Sequence, residues 1–239
     1  MTAALLMLHT LSGVGGLIAF WIAVVARKGG AVHLGAGKAF VLAVYTSVAT
    51  GFVRCVTVIA RPEQYVNTGS PEDSLRAMEA LRSTYLFLAY LGLVTLATVR
   101  HGVRVVQTRN APDRLRSHGD AALNLLTLLS AAAMLVLGFL QSQMLFIAMS
   151  PIGILIGAGN LRYSFRPPPE RMGWWYEHMG SMLGAGIAMH TAFLVFGLRR
   201  FVVLELGVLP WIAPTLVGVP VIYIWTTYYR KKFASGHAE

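Results

Sequence analysis

Residues 3–25 read AALLMLHTLSGVGGLIAFWIAVV, a run without one Asp, Glu, Lys or Arg, and Arg27-Lys28 close it. A hydrocarbon core about 30 Å thick is crossed by roughly 20 apolar residues in an α-helix, since a helix pairs every backbone N–H and C=O within one segment. The run has that length. It is too long for the apolar stretch of a cleaved leader and lacks a basic segment before it. Two cations follow instead of small residues, so it is expected to persist as a first span. Six more runs follow: Ala36–Ala60, Ser83–Val99, Ala121–Leu140, Met144–Asn160, Met179–Leu198 and Val208–Tyr228. The third and fifth are short, and extend into polar flanks or cross where the bilayer thins. The expected fold is an all-α integral membrane protein, one domain over residues 1–239 with seven transmembrane helices.

Composition agrees. The chain is 56% hydrophobic and 13% charged, against about 25% charged in ordinary soluble domains. Too few charges remain to cover a soluble globule, which excludes a cytosolic enzyme. Although the pI is 10.2, the cations lie between apolar runs, so nucleic acid is not an expected partner. The lone Cys55 excludes a disulfide framework and any cysteine-built metal or iron–sulfur site.

The loop charges alternate in sign of excess. Arg27, Lys28, Lys38, Arg100, Arg104, Arg109, Arg114, Arg116, Arg162, Arg166, Arg171, Arg230, Lys231 and Lys232 fall on one side, and only Arg54, Arg61, Arg76, Arg82, Arg199 and Arg200 on the other. By the positive-inside rule the N-terminus faces outward and the C-terminus the cytoplasm. Six spans would break this alternation. In the outer loop, Glu72–Leu81 reads as a short amphipathic helix leading into the third span. Trp174, Trp175 and Tyr176 suit an interfacial aromatic belt. Pro210, Pro214 and Pro220 are expected to bend the last span. The Gly153–Gly157 and Gly180–Gly184 pairs have the spacing of close helix packing.

Polar groups at membrane depth need partners, so the histidines carry most information. His101 and His237 are assigned to headgroups or solvent. His9 lies near the outer end of the first span. His190 stands about 18 Å from His178 along its helix, at 1.5 Å per residue, and so also in the outer half. His33, His118 and His178 start spans two, four and six at the cytoplasmic side. Gly13, Gly37 and Gly186 each stand four residues from a histidine, on its helix face. A missing side chain there leaves flat space beside the imidazole, as a planar macrocycle requires. Paired imidazoles from different helices are what low-spin haem b takes as axial ligands. One expectation is an outer haem on His9 and His190 and an inner one on His33 and His178, with His118 as substitute ligand. Arg54 and Arg171 would then hold propionates; Arg54 equally suits snorkelling to the outer interface. The same histidines also suit hydrogen bonds across packed helices.

A rival stands beside it. His33, His118, Asp120 and His178 are N and O ligands that zinc or iron accepts, and would make a membrane metalloenzyme acting on a lipid-like substrate. Asp120 equally suits an N-cap, and Glu177 a helix start. Span seven has no lysine for a retinal Schiff base, and no nucleophile elbow, P-loop or zinc-protease motif occurs.

The segment His9-x-x-x-Gly13 … Lys28-Gly29-Gly30-Ala31-Val32-His33-x-x-x-Gly37-Lys38-Ala39-Phe40-Val41 resembles the opening of a bacterial family of predicted membrane proteins, domain of unknown function number 2306. The run His178-Met179-Gly180-Ser181-Met182 … Thr191-Ala192-Phe193 is similar to that family's His- and Met-bearing helix. The likeness covers about a third of the chain and brings no motif in spans three to five. It implies about seven helices in a bacterial inner membrane and marks His9, His33 and His178, but it names no reaction. A looser similarity to b-type cytochromes lies in the paired histidines alone. The leading expectation is therefore a multi-pass membrane redox protein with haem b, an oxidoreductase passing electrons to a quinone or another redox partner. The alternatives are the metalloenzyme and a non-catalytic subunit, homo-oligomeric or inside a larger membrane complex.

Overall fold

The computed structural model describes residues 3–67, 69–197 and 209–234. These residues contain no strand, and seven helices are long and apolar enough to cross a membrane. They are α1 (Ala3–Val25), α2 (Ala31–Ala60), α3 (Pro71–Gln107), α4 (His118–Leu140), α5 (Met144–Phe165), α6 (Gly173–Ala192, continued by a π-helical turn Phe193–Gly197) and α7 (Leu209–Ala234). Arg199, Arg200 and His237 lie outside the described residues.

Every helix but α1 runs further than its apolar stretch, and three of them show why. The separate helix expected at Glu72–Leu81 is the first part of α3, which is 37 residues long. Pro71 opens it, Glu72 and Asp73 face its positive end, and Glu72 pairs with Arg76 one turn on at 2.6 Å. No glycine or proline interrupts the chain before the apolar run, so one helix continues. α5 runs on to Phe165, where the Arg116 guanidinium donates to the carbonyls of Ser164 and Phe165, both at 3.2 Å. A cation on the last carbonyls stabilises a helix C-terminus. α6 starts at Gly173, six residues before the expected Met179.

Internal contacts divide the chain into two compact units, Met1–Leu96 with Leu129–Ile154, and Ala97–Leu128 with Leu155–Glu239. In the first, Phe20 of α1 lies against Phe40 of α2 with ring centres 5.5 Å apart. Phe87 of α3 stacks on Phe146 of α5 at 5.1 Å. The Tyr90 hydroxyl donates to the Met149 carbonyl at 3.0 Å, and its ring occupies space that a Cβ on Gly153 would take. A neutral hydrogen bond of this kind contributes about 1 kcal/mol. Tyr90→Phe is therefore expected to lower stability by about 1 kcal/mol in detergent unfolding followed by circular dichroism. An unchanged midpoint would mean that the bond adds nothing.

In the second unit, Asp120 at the start of α4 accepts from Arg100 Nε at 2.6 Å and Arg104 Nε at 2.8 Å, both on α3. The Ser117 hydroxyl also donates to it and accepts from the Asp120 backbone N–H. One turn further, Asn160 Nδ2 of α5 donates to Asn124 Oδ1 of α4 at 2.9 Å, with both residues buried. Gly157 lies flat on α4, where a Cβ would come within 2.8 Å of Leu128 N and 2.9 Å of Asn124 O. The close packing expected at Gly153–Gly157 is present. At Gly180 a Cβ would meet nothing within 4 Å, and at Gly184 it would make an ordinary 3.6 Å contact with Thr98. That pair borders open space instead. The expected aromatic belt also packs between helices. Trp175 lies 4.5 Å from Tyr229 and 5.3 Å from Phe233 of α7, ring centre to ring centre, and Tyr176 is buried.

Candidate functional site

Four of the histidines singled out above share one arrangement. His9 Nδ1 is 3.0 Å from the Ser47 carbonyl and 2.9 Å from the Thr50 hydroxyl, which itself donates back to its own helix. His33 Nδ1 is 2.9 Å from the Ala23 carbonyl. His178 Nδ1 is 2.9 Å from the Gly102 carbonyl. His190 Nδ1 is 2.7 Å from the Gly186 carbonyl on its own helix. A carbonyl only accepts, so each Nδ1 carries the proton. In the neutral imidazole the lone pair is then on Nε2. An Nδ1–H held by a backbone carbonyl is also how proteins orient a histidine whose Nε2 ligates a metal.

Local sequence explains these positions. α1 and α2 meet through small polar groups, and Ser12 and Ser47 hydroxyls lie 2.8 Å apart beside His9. Across from His9, a Cβ on Gly51 would be 3.7 Å from its Cε1, an ordinary contact. Between the helices, Gly29 adopts φ 77°, a left-handed turn that glycine takes without strain. This turn brings Lys28 and His33 onto the last carbonyls of α1. Lys28 Nζ donates to Ala23 O at 3.1 Å and to Val24 O. Burial holds that ammonium below the ordinary lysine value. His178 stands where α6 crosses Gly102. There a Cβ would come within 2.7 Å of Ser181 Cβ, so only glycine admits that approach.

The glycines expected to clear space differ. Beyond Gly13 and Gly37 a Cβ would meet nothing within 4 Å. Gly186 is buried, and its carbonyl accepts His190. Arg54 is held between two aromatics, with Cζ 4.3 Å from the Tyr65 ring centre and Nε donating to Tyr85 Oη at 3.3 Å. Arg171 is exposed. His9 and His33 belong to the first unit, and His178 and His190 to the second.

The rival metal set is not assembled. Among the described residues, no three His, Cys, Asp or Glu side chains are placed to hold an ion. Asp120 has both oxygens committed to arginines, and His118 is exposed.

His101 corrects the assignment to headgroups or solvent. It is 3% exposed, its Nε2 donates to Glu177 Oε1 at 2.9 Å, and its ring meets Tyr163 edge-on at 5.5 Å. The signal was helical spacing. Val94, Ala97, His101, Val105 and Thr108 are all buried and recur every three or four residues, so the inward face of α3 continues past the apolar run. Glu177, read as a helix-start charge, is thus also a partner for a buried imidazole.

Comparison of the chain with protein-family models, with curated proteins and with solved structures finds no match.

Proposed function

We propose that this is a multi-pass membrane redox protein that binds haem b, with its N-terminus outside and its basic loops in the cytoplasm of a bacterial inner membrane. The observation that carries this reading is that four imidazoles, His9, His33, His178 and His190, each give Nδ1–H to a backbone carbonyl. That leaves the lone pair on the nitrogen that binds haem iron. A haem would supply reversible one-electron transfer. The chain's own residues do the rest. The backbone carbonyls set ring tautomer and angle, Gly13 and Gly37 leave room beside their histidines, and the apolar helices exclude water.

The test is the reduced-minus-oxidised absorption spectrum of the purified chain, made in cells supplied with haem precursor, together with metal analysis. Haem b bands are expected. Single His9→Ala, His33→Ala, His178→Ala and His190→Ala variants are each expected to remove the absorbance of one haem, and variants that lose the same band share an iron. A colourless, metal-free protein of full helicity would overturn the reading. A second reading, a subunit of a larger complex, draws on α7, which has no buried residue. Colourless protein that migrates as a larger assembly from native membranes would support it.

A further inference from the structure

The second unit contains an open cleft of about 760 Å³ between α5 and α6. Along its apolar stretch, Leu155, Ile156 and Gly159 of α5 face Gly180 and Gly184 of α6. A Cβ on Gly180 would meet nothing within 4 Å, so this wall is a trough without a side chain to fill it. Arg162, in the last turn of α5, and Arg166, just past its end, lie at the polar end, with Glu177 on the α6 wall. Neither arginine has an ion-pair partner among the described residues. The Glu177 carboxylate accepts from His101, and its side chain is still 32% exposed.

We infer that this cleft binds a phospholipid whose headgroup carries a primary ammonium, an aminophospholipid of the phosphatidylethanolamine kind. One acyl chain would lie in the trough, the phosphodiester against Arg162 and Arg166, and the ammonium against Glu177. Each part answers a chemical feature of the wall. Guanidinium groups bind phosphate oxygens through paired charge-assisted hydrogen bonds. A carboxylate opposite them attracts a cation that can donate hydrogen bonds. A quaternary choline cannot donate, and a phosphatidylglycerol headgroup offers Glu177 no cation. The arginines alone would be ordinary basic loop charge that favours anionic lipid. The carboxylate sharing their cleft shifts the preference to a zwitterion. This inference is independent of the haem reading.

The full-length chain is exchanged into nanodiscs of equal phosphatidylethanolamine, phosphatidylcholine and phosphatidylglycerol, and the lipids retained on release into detergent are counted by native mass spectrometry. The wild type is expected to keep phosphatidylethanolamine over phosphatidylcholine by about fivefold, as a partly exposed ion pair allows. Glu177→Gln is expected to bring that ratio near one while phosphatidylglycerol is kept, and Arg162→Ala with Arg166→Ala to lower all three. Gly180→Leu fills the trough without changing charge and is expected to erase the preference, which decides the matter if Glu177→Gln does not fold. Equal retention of the ethanolamine and choline lipids by the wild type, preference for phosphatidylglycerol, or a preference that survives Gly180→Leu would each overturn the proposal.

Discussion

Gly157→Ala is expected to lower the stability of the helical bundle by about 3 kcal/mol, although alanine is the better helix former by about 1 kcal/mol. The added methyl would stand 2.8 Å from Leu128 N and 2.9 Å from Asn124 O, both backbone atoms of α4. A side chain can rotate away from such a contact, but the backbone of a paired helix cannot, so α4 and α5 must separate. The buried Asn160–Asn124 hydrogen bond sits one turn along the same contact, and would stretch with them. Unfolding in mixed micelles with rising dodecyl sulfate, followed by circular dichroism, measures the loss. Gly180→Ala is the matched control, since its Cβ meets nothing. It should be neutral or slightly stabilising. Equal midpoints for Gly157→Ala and wild type would refute the close approach of the two helices.

Asp120→Ala should cost about 3 kcal/mol. Its carboxylate is 6% exposed and is shared by Arg100 and Arg104, which stand one turn apart on α3. Removing the anion leaves two neighbouring guanidiniums to repel each other, and frees the Ser117 hydroxyl that donates to it. The arginine side chains are 43% and 25% exposed. Water therefore recovers part of the loss, which keeps the expected cost at the lower end for a broken buried pair. Asp120→Asn retains the shape and can still accept hydrogen bonds, so it should lose about half as much. The same unfolding series measures both. An Asp120→Ala protein as stable as wild type would show that the three-way contact is not holding α3 to α4.

The seven long apolar helices were legible because the features that mark them act on each segment separately. Length and hydropathy are properties of a segment, and Ala3–Val25 needs no neighbour to be read. Helix ends were less legible. α3 passes the expected Val99 to reach Gln107, and the polar residues that it adds, Arg100, His101 and Arg104, are paid for by Asp120 and Glu177 on other helices. Those partners are 16 to 76 positions away in sequence, beyond any periodicity. The histidines divide in the same way. Their expected depth was read from position along a helix, and this made His9, His33, His178 and His190 candidates. Which ring nitrogen is tied down did not follow, because Ser47, Ala23 and Gly102 are acceptors only through the way the helices pair.

The glycines show the limit most directly. Gly153–Gly157 and Gly180–Gly184 have identical spacing, yet one pair presses on α4 and Tyr90 while the other borders a cleft. The amino-acid sequence alone determined that the described residues hold seven helices long and apolar enough to cross a membrane, since the transfer of apolar residues into lipid is a sum over each segment. Only the tertiary structure decided which polar side chains are partners, which glycines are contacts and which are openings. Those outcomes depend on distances between helices, and close packing makes a difference of one ångström decisive.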